Sequence, residues 1–206
     1  MPTLENPSPR TVTLAVTGAS GSLCAVAMLQ ALDADDRVGR VHLVTSPSAL
    51  RVLAEELSLS GRTGLVEKLL GHPSAKVITE AHENIGAAIA SGSYPVDAMI
   101  VLPCSMGTLA AIANGLAANL TERAADVCLK ERRPLVLCVR ETPLNLIHLR
   151  NMAAVTEAGA TVFPVIPAFY SGPQTVTDIV ATYVQRVLQH IGLPQAGAFQ
   201  WAAPPA

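Results

Sequence analysis

Short runs of apolar and β-branched residues alternate with longer segments of mixed polarity along most of this chain. Six such runs predict β-strands, at residues 11–17, 40–45, 75–79, 97–102, 134–139 and 160–165. Seven longer segments predict helices, near residues 21–34, 47–59, 82–91, 106–117, 120–131, 144–158 and 174–191. The alternation predicts an α/β fold of the Rossmann-like (flavodoxin-like) kind, in which a mostly parallel sheet carries helices on both faces as a three-layer α/β/α arrangement.

Length and composition indicate one domain. The chain has 206 residues, of which 50% are hydrophobic and 15% are charged, and this suffices for a single well-buried α/β domain but not comfortably for two. We expect a flexible lead-in at residues 1–10, one domain over 11–192 and a tail at 193–206. The apolar residues are mostly aliphatic, and so much aliphatic surface in a small domain predicts a homo-oligomer.

Charge and cysteine usage narrow the class of protein. A net charge of −2 argues against general binding of nucleic acid or of anionic membranes, and no segment is long enough to span a bilayer. The four cysteines form no C-x-x-C pair and the N-terminus lacks an apolar signal core, which predicts a cytoplasmic protein. None of the five histidines has a second histidine or cysteine at ligand spacing, so no metal is expected.

The turn after the first predicted strand, Thr17-Gly18-Ala19-Ser20-Gly21, has the character of a phosphate-binding turn. Backbone N–H groups are free at the start of a helix and can bind an anion there. A dinucleotide fingerprint would need further glycines in this segment, where Ser22 and Cys24 stand instead. The sequence therefore predicts an anion site at this turn but not the site of a dehydrogenase.

Three further predicted strands end in turns of related character, at Ser46–Ser48, Pro103–Thr108 and Arg140–Pro143. The first two place small hydroxylated residues at a helix start, and the third supplies a fixed positive charge. Each serine or threonine alone could simply cap a helix. Because the carboxyl ends of parallel strands meet at one edge of the sheet, the set predicts a mononucleotide-phosphate site there.

Five motifs together carry a family resemblance: T-G-A-S-G at 17–21, S-G-S at 91–93, P-C-S-x-G-T-L at 103–109, ERAADVCLKERRPLVLCVRETP at 122–143 and PAFY at 167–170. Over about residues 11–192 the chain resembles the UbiX family of flavin prenyltransferases, once described as aromatic-acid decarboxylases. The resemblance implies a metal-independent enzyme that joins the dimethylallyl group of dimethylallyl monophosphate to N5 and C6 of reduced FMN. It also implies a UbiD-type decarboxylase as recipient of the product, and a trimer-based homo-oligomer, with a dodecamer as one form.

The resemblance also implies the site residues. The FMN contacts would be Gly18, Ala19, Ser20, Ser46, Ser105, Met106, Gly107, Thr108 and Arg140. The prenyl-phosphate contacts would be Tyr170 and Arg186, with Arg123 and Lys130 arriving from neighbouring subunits. The catalytic set would be Glu141, Glu56, Lys130 and Arg123.

The chemistry of these residue types suits such a reaction. A departing allylic phosphate leaves a delocalised cation, so its site needs Arg, Lys and Tyr donors together with an apolar, π-rich bed. Glu141 beside Arg140 suits a general base that takes the proton from C6, although it could also be a helix-start carboxylate. Trp201 in the tail could cover the site or dock on an apolar surface elsewhere.

The sequence departs from the family pattern at two positions, and three other functions remain as alternatives. Pro47 and Ile85 stand where many relatives have a lysine and some an aromatic residue. An NAD(P) oxidoreductase would need a Tyr-x-x-x-Lys pair, which is absent. A flavin-dependent cysteine decarboxylase would carry P-x-M-N-x-x-M-W, where residues 141–148 read ETPLNLIH. A non-catalytic flavin-binding subunit of a decarboxylase is the third rival.

Overall fold

The computed structural model describes residues 8–59 and 61–201. The strands are β1 (Arg10–Val16), β2 (Val38–Thr45), β3 (Val77–Glu80), β4 (Ala98–Cys104), β5 (Leu135–Val139) and β6 (Thr161–Val162). The helices are α1 (Ser22–Ala34), α2 (Pro47–Leu57), α3 (Leu65–Leu70), α4 (Met106–Ala113), α5 (Leu120–Lys130), α6 (Leu146–Glu157) and α7 (Val176–His190).

The six strands form one parallel sheet in the order β3-β2-β1-β4-β5-β6. The predicted α/β fold is confirmed. The order is that of the doubly wound dinucleotide-binding sheet rather than the 2-1-3-4-5 order of flavodoxin. Because the chain reverses its direction of travel between β1 and β4, the helices that follow these two strands lie on opposite faces and leave a crevice at their carboxyl ends.

Alternate residues of each strand pack on opposite faces of the sheet and divide the core into two layers. Leu14 of β1 packs in the layer that contains Met28 of α1, whereas the next residue, Ala15, packs with Leu109 of α4. All four side chains are fully buried. Complete burial of one large aliphatic side chain contributes about 1.5–3 kcal/mol, so the two layers fix the ends of β1 and β4 firmly.

The predicted helix over 82–91 is wrong, because the segment holds only a short 3₁₀ turn at Ala88–Ala90. The side-chain oxygen of Asn84 accepts a hydrogen bond from the N–H of Gly86, and this local turn replaces helical bonding. Helix α3 was not predicted. The last predicted strand, 160–165, is shortened to Thr161–Val162, although the N–H groups of Phe163 and Val165 still donate to the carbonyls of Leu137 and Val139 at 2.8 Å.

The described parts of the two predicted end segments pack against the domain. Arg10, placed in the lead-in by its sequence, opens β1, and its guanidinium donates to the carbonyl of Ile191 at 2.6 Å. In the tail, Leu193 is buried and the amide of Gln195 donates to Asp35 at 3.0 Å. Residues 1–7 and 202–206 lie outside the described residues.

Candidate functional site

Thr17 fastens the turns that follow β1 and β4. Its hydroxyl donates to the carbonyl of Pro103 at 2.8 Å and accepts the N–H of Ser105 at the same distance. The residue is buried, so both hydrogen bonds are shielded from water. The two turns therefore form one rigid edge. Thr17 belongs to the T-G-A-S-G motif, but the motif gives no sign of this role, because a hydrogen bond across 86 residues leaves no local signal in the sequence.

Gly18 lets the first turn approach the start of α2. A Cβ atom on Gly18 would lie 2.5 Å from Cβ and 2.7 Å from Oγ of Ser48, which is closer than real side chains pack. Only glycine fits at this contact without displacing one of the two segments. The turns after β1, β2 and β4 are thus joined into a continuous surface.

Two helix starts at this edge keep backbone donors free. Ser46 caps α2 by accepting the N–H of Ala49 at 3.1 Å, and Ser105 caps α4 by accepting the N–H of Thr108 at 3.3 Å. The first residues of a helix have no intrahelical acceptor, and each cap satisfies only one of these N–H groups. Pro47 at the start of α2 has no N–H, so the donors that stay available to an anion are those of Ser48 at α2 and of Met106 and Gly107 at α4.

The start of α1 is different, because a carboxylate of the protein already occupies it. Glu56 accepts the N–H of Ser22 at 2.8 Å and that of Gly21 at 3.2 Å. Desolvation raises its pKa, but hydrogen bonds from Ser20, Ser22 and Gly21 outweigh desolvation and hold the pKa of this carboxyl below its ordinary value. The expectation of free N–H donors at this helix start is therefore wrong, and anion-binding donors remain at α2 and α4.

A cavity of about 510 Å³ opens between the starts of α2 and α4. Its lining comprises Ser46, Pro47, Ser48, Arg51, His82, Gly107, Thr108, Asn119 and Glu122. Three of the predicted FMN contacts are in this set. Arg51 and His82 were not predicted, although Arg51 follows Ser48 at the i+3 spacing that places two residues on one helix face.

Arg140 and Glu141 follow β5 at the same edge. The N–H of Arg140 donates to the carbonyl of Cys104 at 3.3 Å, and its guanidinium has no ion pair or side-chain hydrogen bond within residues 8–59 and 61–201. Glu141 is exposed and accepts the N–H of Thr142 at 3.1 Å. Helix α6 starts five residues later with Asn145 as its cap, so the alternative of Glu141 as a helix-start carboxylate is wrong.

A second cavity, of about 400 Å³, lies between α7 and the tail. Its lining comprises Ala168, Tyr170, Thr182, Gln185, Arg186, Gln189, Ala198, Phe199, Gln200 and Trp201. The Tyr170 ring centroid is 5.9 Å from that of Phe199 and 5.8 Å from that of Trp201. Tyr170 is 71% exposed, and the tail tryptophan packs on it. The cavity joins aromatic surface to the guanidinium of Arg186, which is bonded to Gln189.

Arg123 and Lys130 line neither cavity. The guanidinium of Arg123 contacts Asp126 at 2.6 Å and the carbonyl of Ala90 at 3.2 Å, while Lys130 is paired with Glu131. Both basic residues lie along α5. Within one chain, the structure does not bring them to Tyr170 and Arg186.

The described part of the chain was also examined for a reactive cysteine, a metal site and a membrane-spanning helix. Burial raises the pKa of the Cys104 thiol and so disfavours the thiolate that a nucleophilic cysteine needs. No group of three or more His, Cys, Asp or Glu residues among those described could hold a metal ion. No helix in the same residues combines the length and apolar character needed to cross a membrane.

Comparison with known proteins identifies the family to which this chain belongs. The profile of the Flavoprotein family matches residues 2–188, which agrees with a parallel α/β fold that offers phosphate-binding turns at one edge. The flavin prenyltransferase UbiX of Neisseria meningitidis is 45% identical over 192 residues, covering 93% of this chain and 96% of the relative. UbiX of Salmonella typhimurium is 46% identical over 179 residues, covering 87% and 90% respectively. The chain belongs to the UbiX family of flavin prenyltransferases.

Solved structures agree with this assignment. AnUbiX (PadA1) in complex with FMN and dimethylallyl pyrophosphate superposes with a TM-score of 0.85 at 39% identity, covering 96% of this chain and 100% of that one. A dodecameric FMN-dependent UbiX-like decarboxylase from Escherichia coli O157:H7 gives 0.84 at 43% identity, covering 94% and 100%. The FMN-dependent cysteine decarboxylase TvaF, at 0.58 and 21% identity over 74% of this chain and 88% of that one, shares the fold alone.

Proposed function

We propose that this chain is a flavin prenyltransferase that joins the dimethylallyl group of a dimethylallyl phosphate to N5 and C6 of reduced FMN. The observation that carries the proposal is the 45% identity to a flavin prenyltransferase over nearly the full length of both chains. Structure-based support comes from the two cavities, one with backbone donors suited to a phosphate and one that combines aromatic surface with an arginine.

The residues at the sheet edge fit FMN. Its phosphate would accept hydrogen bonds from the free N–H groups at the starts of α2 and α4 and from the hydroxyls of Ser46 and Thr108. The guanidinium of Arg140, which has no partner among the described residues, would add a positive charge. When bound and reduced, FMN supplies the nucleophilic ring positions. The backbone of the turn at Gly18, which packs closely against Ser48 at the start of α2, would hold the ring system.

Tyr170 and Arg186 would hold the phosphate of the prenyl donor. The Tyr170 hydroxyl and the Arg186 guanidinium would each donate a hydrogen bond to this phosphate. These hydrogen bonds become stronger as negative charge builds up on the leaving phosphate. The aromatic side chains of the second cavity would contact the hydrocarbon. Arg123 and Lys130 would add positive charge from a neighbouring subunit. We propose the monophosphate as donor, and the pyrophosphate found in AnUbiX defines the alternative to be tested.

Glu141 would take the proton that leaves C6 during ring closure. Its carboxylate is exposed at the edge and is not engaged in an ion pair among the described residues, so it can accept a proton. Glu56 was grouped with it by the resemblance. Because both Glu56 oxygens accept hydrogen bonds from the first turn, its acid–base role stays a prediction, and its structural role is to hold that turn.

The enzyme would act as an oligomer in the cytoplasm and pass prenylated FMN to a UbiD-type decarboxylase. Leu146, Ile147 and Leu149 on α6 are 49–66% exposed, an apolar strip of the kind that subunit contacts cover. Four free, buried cysteines agree with a reducing compartment. A dodecamer, as reported for the Escherichia coli structure, is the assembly that we propose.

The direct test is to incubate the protein with reduced FMN and either dimethylallyl monophosphate or the pyrophosphate, and to measure the mass and spectrum of the flavin after reoxidation. We expect a flavin that has gained one prenyl group, with the monophosphate as the better donor. Unmodified FMN with both donors would refute the proposal. Tight binding of NADH would instead support the alternative function of an NAD(P) oxidoreductase.

Subunit sharing is tested by co-expressing Arg140→Ala and Arg123→Ala chains. If one site draws these arginines from different chains, mixed assemblies contain some sites with both residues intact, and prenylation should exceed that of either variant alone. Activity no higher than in the two single variants would show that each chain builds its own site.

A further inference from the structure

A chain of hydrogen bonds outside both cavities links β2 and β3 to the loop before β4. His42, which is 2% exposed, contacts Glu80 through Nδ1 at 2.8 Å and the Tyr94 hydroxyl through Nε2 at 2.9 Å. Arg40 donates to the same hydroxyl at 3.1 Å. With Nδ1–H donating to the Glu80 carboxylate, Nε2 is the acceptor that the Tyr94 hydroxyl needs. The ring of Tyr94 also meets His42 edge-on, with centroids 5.4 Å apart.

These contacts anchor the loop that begins at Ser91. The N–H of Tyr94 donates to the carbonyl of Ser91 at 3.3 Å and closes a turn. Arg133 clamps the same turn, donating to the carbonyls of Gly92 at 2.6 Å and Tyr94 at 2.9 Å. The tyrosine thus fixes the loop to the sheet, and an arginine in the connection between α5 and β5 holds it from the other side.

The same loop sets the position of two basic side chains. Arg123 donates through Nε to the carbonyl of Ala90. The ammonium of Lys130 and the carboxylate of Glu131, the ends of two flexible side chains, lie where a Cβ atom on Gly92 would stand. A shift of the loop would therefore move both the carbonyl that orients Arg123 and the surface on which Lys130 rests.

We propose that Tyr94 and His42 are positioning residues for the donor-phosphate site. They fix the segment from Ala90 to Tyr94 to the sheet, and that segment holds Arg123 and Lys130 in the geometry that the donor phosphate of the neighbouring subunit requires. The inference rests on the proposed function, which assigns these two basic residues to the phosphate. Neither positioning residue lines the two cavities described above.

The Tyr94→Phe variant tests the proposal with little disturbance of packing, since it keeps the ring and removes only the hydroxyl. Loss of one buried hydrogen bond leaves Nε2 of His42 without its partner and loosens the loop. We expect the KM for dimethylallyl monophosphate to rise about five- to tenfold, while kcat changes less than about twofold and FMN affinity is unchanged. The matched control is Tyr183→Phe, whose buried hydroxyl donates to the carbonyl of Phe163 at 3.0 Å and should affect thermal stability but not KM.

A double-mutant cycle separates positioning from a general loss of stability. If Tyr94 acts through Arg123, adding Tyr94→Phe to an Arg123→Ala variant should change KM less than about twofold, because the side chain it positions is gone. Additive effects on KM, or equal effects of Tyr94→Phe and Tyr183→Phe, would overturn the inference. If the unaltered chain forms no product, the proposed function fails and the inference fails with it. An active parent whose KM is unaffected by Tyr94→Phe overturns the inference alone.

Discussion

Replacing Gly18 by alanine tests how tightly the first turn is packed on α2. The added methyl carbon would lie 2.5 Å from Cβ and 2.7 Å from Oγ of Ser48. Because carbon atoms in contact are about 3.5–4.0 Å apart, one of the two segments would have to move by about 1 Å. Overpacking of this kind costs about 1–3 kcal/mol of unfolding free energy. In a chain of this length that corresponds to a fall in Tm of about 2–12 °C.

The Gly18→Ala substitution should also weaken FMN binding, because the segment that it displaces is part of the proposed FMN site. The turn carries three of the proposed FMN contacts, and a misplacement worth about 1.4 kcal/mol in binding raises the Kd for FMN about tenfold. Calorimetric titration and thermal unfolding measure the two effects. The double variant Gly18→Ala/Ser48→Gly removes both crowded atoms and leaves the Ser48 carbonyl carbon, 3.5 Å away, as the nearest, so affinity and Tm should recover.

A matched control is Gly86→Ala, whose added Cβ would meet only the side-chain oxygen of Asn84 at an ordinary 3.5 Å. Little change in Tm or in FMN affinity is expected from it. The reasoning is refuted if Gly18→Ala behaves like this control, or if Ser48→Gly fails to restore what Gly18→Ala removes. Either result would mean that the turn tolerates a side chain and that the FMN contacts do not depend on the close approach.

Three further changes separate binding, chemistry and stability. Glu141→Gln should leave FMN affinity unchanged but slow formation of the cyclised product about 10²–10⁴-fold in a single-turnover assay, and a parental rate would exclude the general base. Tyr170→Phe should raise the KM for dimethylallyl monophosphate about five- to tenfold with little effect on FMN, which donor titration measures. Glu56→Gln concerns pH. The folded pKa of Glu56 is lowered, so its stabilising contribution is complete above the unfolded pKa of about 4.3 and is lost as pH falls through the folded value. Unfolding at pH 7 and at low pH should show a destabilised variant only at pH 7, and equal deficits at both would contradict this account.

Sequence patterns predicted the elements whose apolar periodicity is strong and failed where local polar contacts decide. The apolar strand β4 and the helix α7 were located to within a few residues. Residues 82–91 failed because the side chain of Asn84 bonds to nearby backbone and replaces a helix with turns. Helix α3 has only six residues, and it lies between Gly64 and Gly71, both with positive φ. So short a segment gives too few turns for a periodic signal.

In the candidate site, too, local features were predicted from the sequence and contacts between distant segments were not. Hydroxylated residues directly after strands predicted the caps of α2 and α4, because each cap bonds within three residues of itself. Contacts between distant segments were invisible in the sequence. The pairing of Thr17 with Ser105 and the approach of Gly18 to Ser48 depend on strand order, which the sequence left open. Packing of Trp201 on Tyr170 likewise needed the path of the tail.

The position of Glu56 explains how a sheet with dinucleotide-binding strand order can serve a mononucleotide. In dinucleotide-binding proteins of this order, the pyrophosphate sits at the start of the helix after the first strand. Here that helix start already binds a carboxylate of the protein, so a second anion would meet like charge and occupied donors. The free donors lie one strand away on either side, at α2 and α4, where one phosphate can be held between two helix starts. A flavin whose phosphate bound there, as we propose, would place its ring system at the same edge of the sheet, where Glu141 follows β5.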